Sequence, residues 1–365
     1  MTAPSLLRLF PSLSFHSQKA IMDLFALTRA LVDIESVTNN EAMCGEFLLR
    51  HLSPLAAKHG GRVERMAVEA QRFNVFASWG TPVVTMSTHM DTVPPFFASS
   101  EDDEFLRGRG ACDAKGIIAA MTCAAEQLLE EGISDIGLLF VVGEERNSAG
   151  ARVAAKTPRG SRYLVNGEPT ENKLCLASKG ALRFELRAKG VLAHSGYPAL
   201  GHSAIDLLLD ALENIRHLAL PADSLLGRST LNIGTISGGR APNVVADEAQ
   251  AEIMFRLVRD AAPVREAVHK ATAGRVEVHE VLYTPVFHFA AFDGLPTSVV
   301  AFTTDVPTLH ETWGTPFLIG PGSIHVAHTA EERISKRELR DAVAIYVNMV
   351  KRLLASHAEV SRKSP

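Results

Sequence analysis

The chain has 365 residues, 46% hydrophobic and 21% charged, with a net charge of −4. That length exceeds one ordinary core and suggests about two domains, and the composition excludes a disordered chain. The mild charge, without a long Lys/Arg tract, argues against nucleic acid or an anionic membrane surface as partners, and no apolar run reaches the ~18 residues of a spanning helix.

Residues 1–21 hold a short apolar patch, Leu6, Leu7, Leu9 and Phe10, with few positive charges before it. They read as an N-terminal extension and not as a signal peptide. Helical apolar spacing marks 22–34 and 41–58. Short apolar runs at 82–88, 136–142, 163–165 and 316–319 end in polar or glycine-rich turns, which suits buried parallel strands. Between the first two lies 115–130, apolar almost all round, as expected for a helix packed on a sheet. This alternation predicts an α/β domain with a mostly parallel sheet.

The pattern changes between 179 and 288. A strand at 181–189 is followed by an amphipathic helix at 204–218, with Ser203 and Asp206 placed to cap its start. Strands at 231–236 and 249–258, a helix at 263–272 and a strand at 276–282 complete a βαββαβ order, the ferredoxin-like pattern. The expected organisation is therefore a catalytic domain from 1–178 and 289–365, with 179–288 inserted as a small α+β domain. A last helix begins near Ser335, where Ser335 and Glu338 form a capping-box pattern.

The four cysteines, Cys44, Cys112, Cys123 and Cys175, form no CxxC pair. They read as reduced thiols of a cytoplasmic protein. The chemistry-bearing residues lie elsewhere. His89 and Asp91 close one apolar run, Glu144 and Glu145 follow a second, Glu168 follows a third, and His328 lies in the loop after Gly320-Pro-Gly-Ser323. Asp113 stands just before the apolar helix. Most of these groups fall just past the C-terminal ends of predicted strands, the edge that forms the ligand crevice of open α/β sheets. Each alone is commonplace as a surface, core or cap residue; their shared position is not. Asp113, Glu145 and Glu168 with one hydroxide offset the charge of two dications, as a partly buried site favours. Imidazole and carboxylate donors suit Zn²⁺, with Co²⁺ or Mn²⁺ as alternatives. Glu144, beside a ligand, suits a general base, and the Asp91 carboxylate is expected to orient the His89 ring.

The segments HMDTVPP (89–95), GRGACDAKG (108–116), GEER (143–146), GEPT (167–170) and GPGSIHVAHTAEE (320–332) resemble, in order, the motifs of the M20 metallopeptidase family, above all its acetylornithine deacetylase and succinyl-diaminopimelate desuccinylase branch. The resemblance implies a zinc-peptidase-like catalytic domain with an inserted lid and dimerisation domain. It implies that Asp113 bridges two metals, His89 and Glu168 completing one site and Glu145 and His328 the other. His328 is preferred to His325 from its AHTAEE context. Glu144 is implied as base and then acid, and the Asp113–Ala114 bond is often cis in this family. In the lid, His194 resembles an oxyanion-stabilising histidine that dimeric relatives take from the partner chain, while Asn243 and Arg256 resemble substrate-holding residues, with Gly322 assisting. Lys179 stands where desuccinylase-like relatives often carry Arg.

The implied reaction is hydrolysis of the amide of a small N-acyl amino acid. A dipeptidase or carboxypeptidase on the same scaffold is the alternative, and a non-catalytic metal-binding protein is a third reading. No GxSxG elbow supports a serine hydrolase.

Overall fold

The computed structural model describes residues 18–363. Most of the region expected as an N-terminal extension lies outside the described residues; the helix Gln18–Val32 begins within it, earlier than predicted.

A large twisted sheet organises the catalytic part. Across it the strands run Arg62–Glu69, Arg72–Trp79, Ile136–Val141, Val84–His89, Tyr163–Asn166, Thr315–Leu318, Leu174–Ser178 and Phe287–His288, with Thr297–Val300 also on Leu174–Ser178. Val84–His89 pairs in parallel with both Ile136–Val141 and Tyr163–Asn166, and Tyr163–Asn166 in parallel with Thr315–Leu318. The expected continuous apolar runs are these central strands, buried on both faces. An antiparallel hairpin, Arg62–Glu69 and Arg72–Trp79, extends one edge. It escapes a sequence reading because its turn, Ala70–Gln71, carries none of the Asn-Gly or Asp-Gly signals of a tight hairpin.

Helices cover both faces. On one, Leu24, Leu31, Leu48, Leu52, Ile117, Met121, Leu128, Tyr346 and Val350 pack on Val75, Met86 and Leu138. On the other, Phe76, Leu139 and Leu164 meet Ala151, Ala154, Leu309 and Trp313. The two rings of Phe76 and Trp313 meet edge to face at 5.6 Å, and the indole N–H donates to the Ala154 carbonyl at 2.9 Å. Each fully buried side chain of this size contributes about 1.5–3 kcal/mol.

The second sheet runs Thr230–Gly238, Glu248–Leu257, Gly180–Lys189, Glu277–Thr284, all antiparallel. With helices Ala204–Arg216 and Ala262–Thr272 on one face it has the ferredoxin-like order, and it owns a separate core of Leu182, Phe184, Leu208, Leu212, Ile253, Phe255 and Val268. Ser203 caps its first helix, accepting from the Asp206 N–H at 3.2 Å. The fold is thus an α/β catalytic unit with a mostly parallel central sheet and an inserted α+β lid. Two connections join them side by side: Lys179 alone separates Leu174–Ser178 from Gly180–Lys189, and the chain returns between Thr284 and Phe287. No helix among the described residues is long and apolar enough to cross a membrane.

Candidate metal centre

The candidate ligand residues gather where the topology places them. His89 ends the central strand Val84–His89. Glu144 and Glu145 follow Ile136–Val141 through Gly143, which adopts φ 79° and would bring a Cβ within 2.8 Å of the Arg72 guanidinium. Glu168 lies two residues beyond Tyr163–Asn166. Asp113 lies in an irregular turn, Ala111–Lys115, that feeds the helix Gly116–Glu130, and the Asp113–Ala114 peptide is cis.

Asp113 faces two imidazoles with two different oxygens. Its Oδ1 is 2.9 Å from His89 Nε2, and its Oδ2 is 3.4 Å from His328 Nε2. Glu168 Oε2 stands 4.0 Å from His89 Nε2, and Glu145 Oε1 stands 2.9 Å from His328 Nε2. One ligand atom each from His89, Asp113 and Glu145 lies within 4.8 Å of the others. His328 holds this position with φ 63°, a left-handed conformation rare for a side-chain-bearing residue and costing about 1–3 kcal/mol. His325 is exposed and takes no part in the cluster.

Asp91 is buried and reaches both the His89 ring and the Glu144–Glu145 segment. His89 Nδ1 lies 3.0 Å from the Asp91 main-chain carbonyl and 3.6 Å from its carboxylate. Both face the same ring nitrogen, the carbonyl more closely, and the carboxylate also favours the charged imidazole. The carboxylate also accepts from Thr38 Oγ1 at 2.7 Å and from the Glu144 and Glu145 N–H groups at 3.1 and 3.2 Å. It holds the Glu144–Glu145 segment in place.

The electrostatics fit a cation site. Burial and the neighbouring Glu168 carboxylate push Glu144 well above the ordinary carboxylate range. Burial also pushes Glu168 up, against the pull of His89. For Asp113, burial acts upward, but His328 and His89 outweigh it and hold the group low. His328 is raised to about 10 by Asp113 and Glu145. Glu168 Oε1 is buried with no hydrogen-bond partner. Three carboxylates and two imidazoles converging without an Arg or Lys among them call for positive charge from outside the chain. Cys112 points away, toward the Ser323 carbonyl and Glu332 at 3.8 Å, so the donor set is nitrogen and oxygen only.

Sequence reasoning overlooked two carboxylates. Asp305, 1% exposed at the start of the helix Val306–Trp313, acts electrostatically on both Glu144 and Glu168. Burial pushes its carboxyl up, and Ser148 offsets this only in part, without a well-formed hydrogen bond. Glu332, likewise 1% exposed, closes on the Asp113 turn. Asp305 sits in unremarkable local sequence, Thr-Thr-Asp; Glu332 closes the segment GPGSIHVAHTAEE, where no role was read for it, and its burial is what singles it out.

The lid residues stand apart from the cluster. Arg256 is half-buried and has no acidic partner among the described residues, and burial alone depresses its pKa. His194 is exposed, with Nδ1 accepting from the Gly196 N–H at 3.0 Å and the ring against Tyr197. Asn243 is exposed, and its carbonyl accepts from the Ser195 N–H at 3.0 Å. Lys179 donates to the Arg228 carbonyl at 2.6 Å, bracing the junction with the lid. The Gly322 N–H donates to Glu338 Oε2 at 2.9 Å, so it is not presented to a substrate. That bond also leaves the capping box half-formed: Ser335 Oγ accepts from the Glu338 N–H at 3.4 Å, but the Glu338 carboxylate serves Gly322 instead.

Residues 85–352 match the family described as peptidase family M20/M25/M40. A peptidase M20 domain-containing protein of Schizosaccharomyces pombe is 38% identical over 341 residues, covering 90% of this chain and 84% of its own. A "probable carboxypeptidase" of Aspergillus oryzae is 36% identical over 398 residues, covering 97% of this chain and 90% of its own. Among solved structures, a tripeptidase from Staphylococcus aureus shares the fold with a TM-score of 0.75 at 20% identity, over 91% of this chain and 98% of that one. Fold, ligand set and kinship define a metal-dependent hydrolase of C–N bonds, amide or peptide. The chain belongs to peptidase family M20/M25/M40. The names of these relatives do not include the acetylornithine deacetylase and desuccinylase branch suggested by the motifs.

Proposed function

We propose that this enzyme holds two divalent cations and hydrolyses the amide bond of a small N-acyl amino acid, deacetylase- or desuccinylase-like, releasing an amino acid with a free carboxylate. The observation that carries the two-cation reading is Asp113 facing His89 with one oxygen and His328 with the other. His89, Asp113 and Glu168 would hold one cation, and Asp113, Glu145 and His328 the second. Zn²⁺ suits these donors best, with Co²⁺ or Mn²⁺ as alternatives. When bound, such a pair supplies a water of lowered pKa and polarises a carbonyl.

The chain's own residues supply the rest. A Glu144 carboxylate oxygen takes the proton of the attacking water and returns it to the departing amine nitrogen. Asp91, through the Glu144 and Glu145 N–H groups, fixes where that oxygen stands. Arg256, half-buried without a counter-ion, is suited to grip the substrate carboxylate with both arms of its guanidinium. Asn243, the other proposed substrate-holding residue, lies in the loop with His194, at the far end of the strand pair from Arg256. His194 makes no contact with the cluster of its own chain, which supports its delivery by a partner copy to the developing oxyanion. The mostly exposed edge strand Thr230–Gly238, with Ile236 53% exposed, offers a surface for that homodimer. Four buried cysteines with no CxxC pair among them suit a cytoplasmic setting.

A second reading, a carboxypeptidase or dipeptidase, is favoured by the name of the Aspergillus oryzae relative. Both readings require a free carboxylate beside the scissile bond; the acyl side separates them. The test is a panel of N-acetylornithine, N-acetyllysine, N-succinyl-diaminopimelate and short peptides, each with a carboxamide counterpart, on protein stripped and reloaded with Zn²⁺ or Co²⁺. Metal-dependent amine release is expected. Masking the carboxylate, or Arg256→Ala, should lower kcat/KM about 10- to 100-fold, the value of one charge-assisted pair. Equal rates on free and masked substrates would remove Arg256 from its role. Preference for peptides would select the second reading, and bound metal without turnover would favour a binding protein.

A further inference from the structure

Glu332 lies four residues after His328, and its carboxylate is the hub of the turn that carries Asp113. Its Oε1 accepts from the main-chain N–H groups of Gly110 at 2.9 Å, Cys112 at 3.3 Å and Asp113 at 3.3 Å. Its Oε2 accepts from Arg109 Nη1 at 2.6 Å. Arg109 is itself 2% exposed, fixed by its Nε donating to the Pro95 carbonyl at 3.1 Å and by the Phe97 ring 5.0 Å beneath its guanidinium. The main chain joins in, with the Gly108 N–H donating to the Glu332 carbonyl at 3.2 Å.

The turn needs such an acceptor. Asp113 and Ala114 depart from helical angles, with φ/ψ of −128°/85° and −132°/24°, so the turn cannot satisfy its N–H groups as a regular helix would. Buried N–H groups left without acceptors cost about 1–3 kcal/mol each. A carboxylate at this point also faces the N-terminal end of the helix Gly116–Glu130, where negative charge is favoured. One side chain thus stitches the Asp113 turn to the segment that presents His328, and those two residues stand on either side of one proposed cation position.

We infer that Glu332 is a positioning residue: it sets the spacing of Asp113 and His328, and through them the affinity and coordination geometry of the proposed centre. This inference rests on the two-cation reading. The experiment compares Glu332→Gln with the unaltered enzyme in Co²⁺ affinity, by chelator competition, and in the visible absorption of the Co²⁺-loaded protein, alongside the melting temperature of the metal-stripped form. Glu332→Gln should bind Co²⁺ about 10- to 100-fold more weakly, as is usual for residues that orient ligands, with a displaced absorption band. Glu332→Asp keeps the charge beside Arg109 but withdraws the carboxylate by one methylene, and decides the question where Glu332→Gln does not fold. A merely structural role would lower the melting temperature of either variant while affinity and spectrum stay unaltered, and that result would overturn the inference. If the unaltered enzyme takes up neither Zn²⁺ nor Co²⁺, the two-cation reading itself fails, and this inference falls with it.

Discussion

Glu144 and Asp305 carry the same functional group into neighbouring surroundings, and only one of them has work assigned to it. Glu144→Gln keeps the ligands intact while removing the proton acceptor and misplacing the water. Turnover should fall about 10³-fold or more, with metal content unchanged by elemental analysis. Near-normal turnover would dismiss Glu144 as the base. Asp305 is a burden on the fold. Burial raises it from an ordinary 3.8 to about 6, so the unfolded chain ionises first as pH rises. The stability it allows below pH 3.8 is lost as pH rises through 6, a penalty on the order of 3 kcal/mol. Asp305→Asn should therefore stabilise the metal-stripped protein at pH 8 by on the order of 1–3 kcal/mol in urea unfolding, with the gain vanishing near pH 3.5. A gain independent of pH would assign the effect to packing instead. At this scale the sequence was informative for residues that end strands, such as His89 and Glu168, because strand ends are visible as breaks in apolar runs. Asp305 and Glu332 were hidden because their significance lies in long-range burial, with Glu332 meeting partners some 220 residues away.

The elements around the centre hold it by close packing. Gly167, just past the strand Tyr163–Asn166, lies against the helix Gly116–Glu130, where an added Cβ would stand 2.3 Å from Ile117 Cγ2 and 2.7 Å from Met121 Cε. Gly167→Ala must push apart the strand end bearing Glu168 and the helix that follows Asp113. Overpacking of this kind costs about 1–3 kcal/mol, and Ile117→Ala in the same chain should return part of it in a double-mutant cycle measured by thermal unfolding. Additive losses would mean the two residues do not share the strain. The central strands, the apolar helix and the lid's βαββαβ order were legible because hydrophobic periodicity reports directly on burial. The edge hairpin and the helix Ala149–Lys156 were not. The first has an uninformative turn, and the second is an eight-residue segment rich in alanine, with too few large apolar residues to reveal a face.

For the whole molecule, the lid decides whether one chain makes a complete site. If His194 serves the partner's centre, a chain lacking Glu144 and a chain lacking His194 are each inactive but complement one another. Mixing Glu144→Gln and His194→Ala after dissociation should restore about a quarter of the unaltered activity, since half the re-formed dimers would be mixed and each would hold one intact site. Light scattering should give twice 39.4 kDa. Failure of complementation with a monomeric mass would place His194 in its own chain's reaction or outside it.

The junction between the two units also has a mechanical character. The outgoing and returning segments are laddered together on both sides of it, Leu174–Ser178 with Phe287–His288 below and Gly180–Lys189 with Glu277–Thr284 above. At Gly180 they press so close that a Cβ would lie 2.6 Å from the Thr284 carbonyl oxygen. Such a pair of straps behaves as a flat leaf spring. Flexing it out of its plane leaves the ladder hydrogen bonds intact, whereas shearing one strap past the other would break them together. Were the inserted unit to move, the out-of-plane arc is the one that would spare these bonds, and its face, with Arg256 on it, would travel along that track.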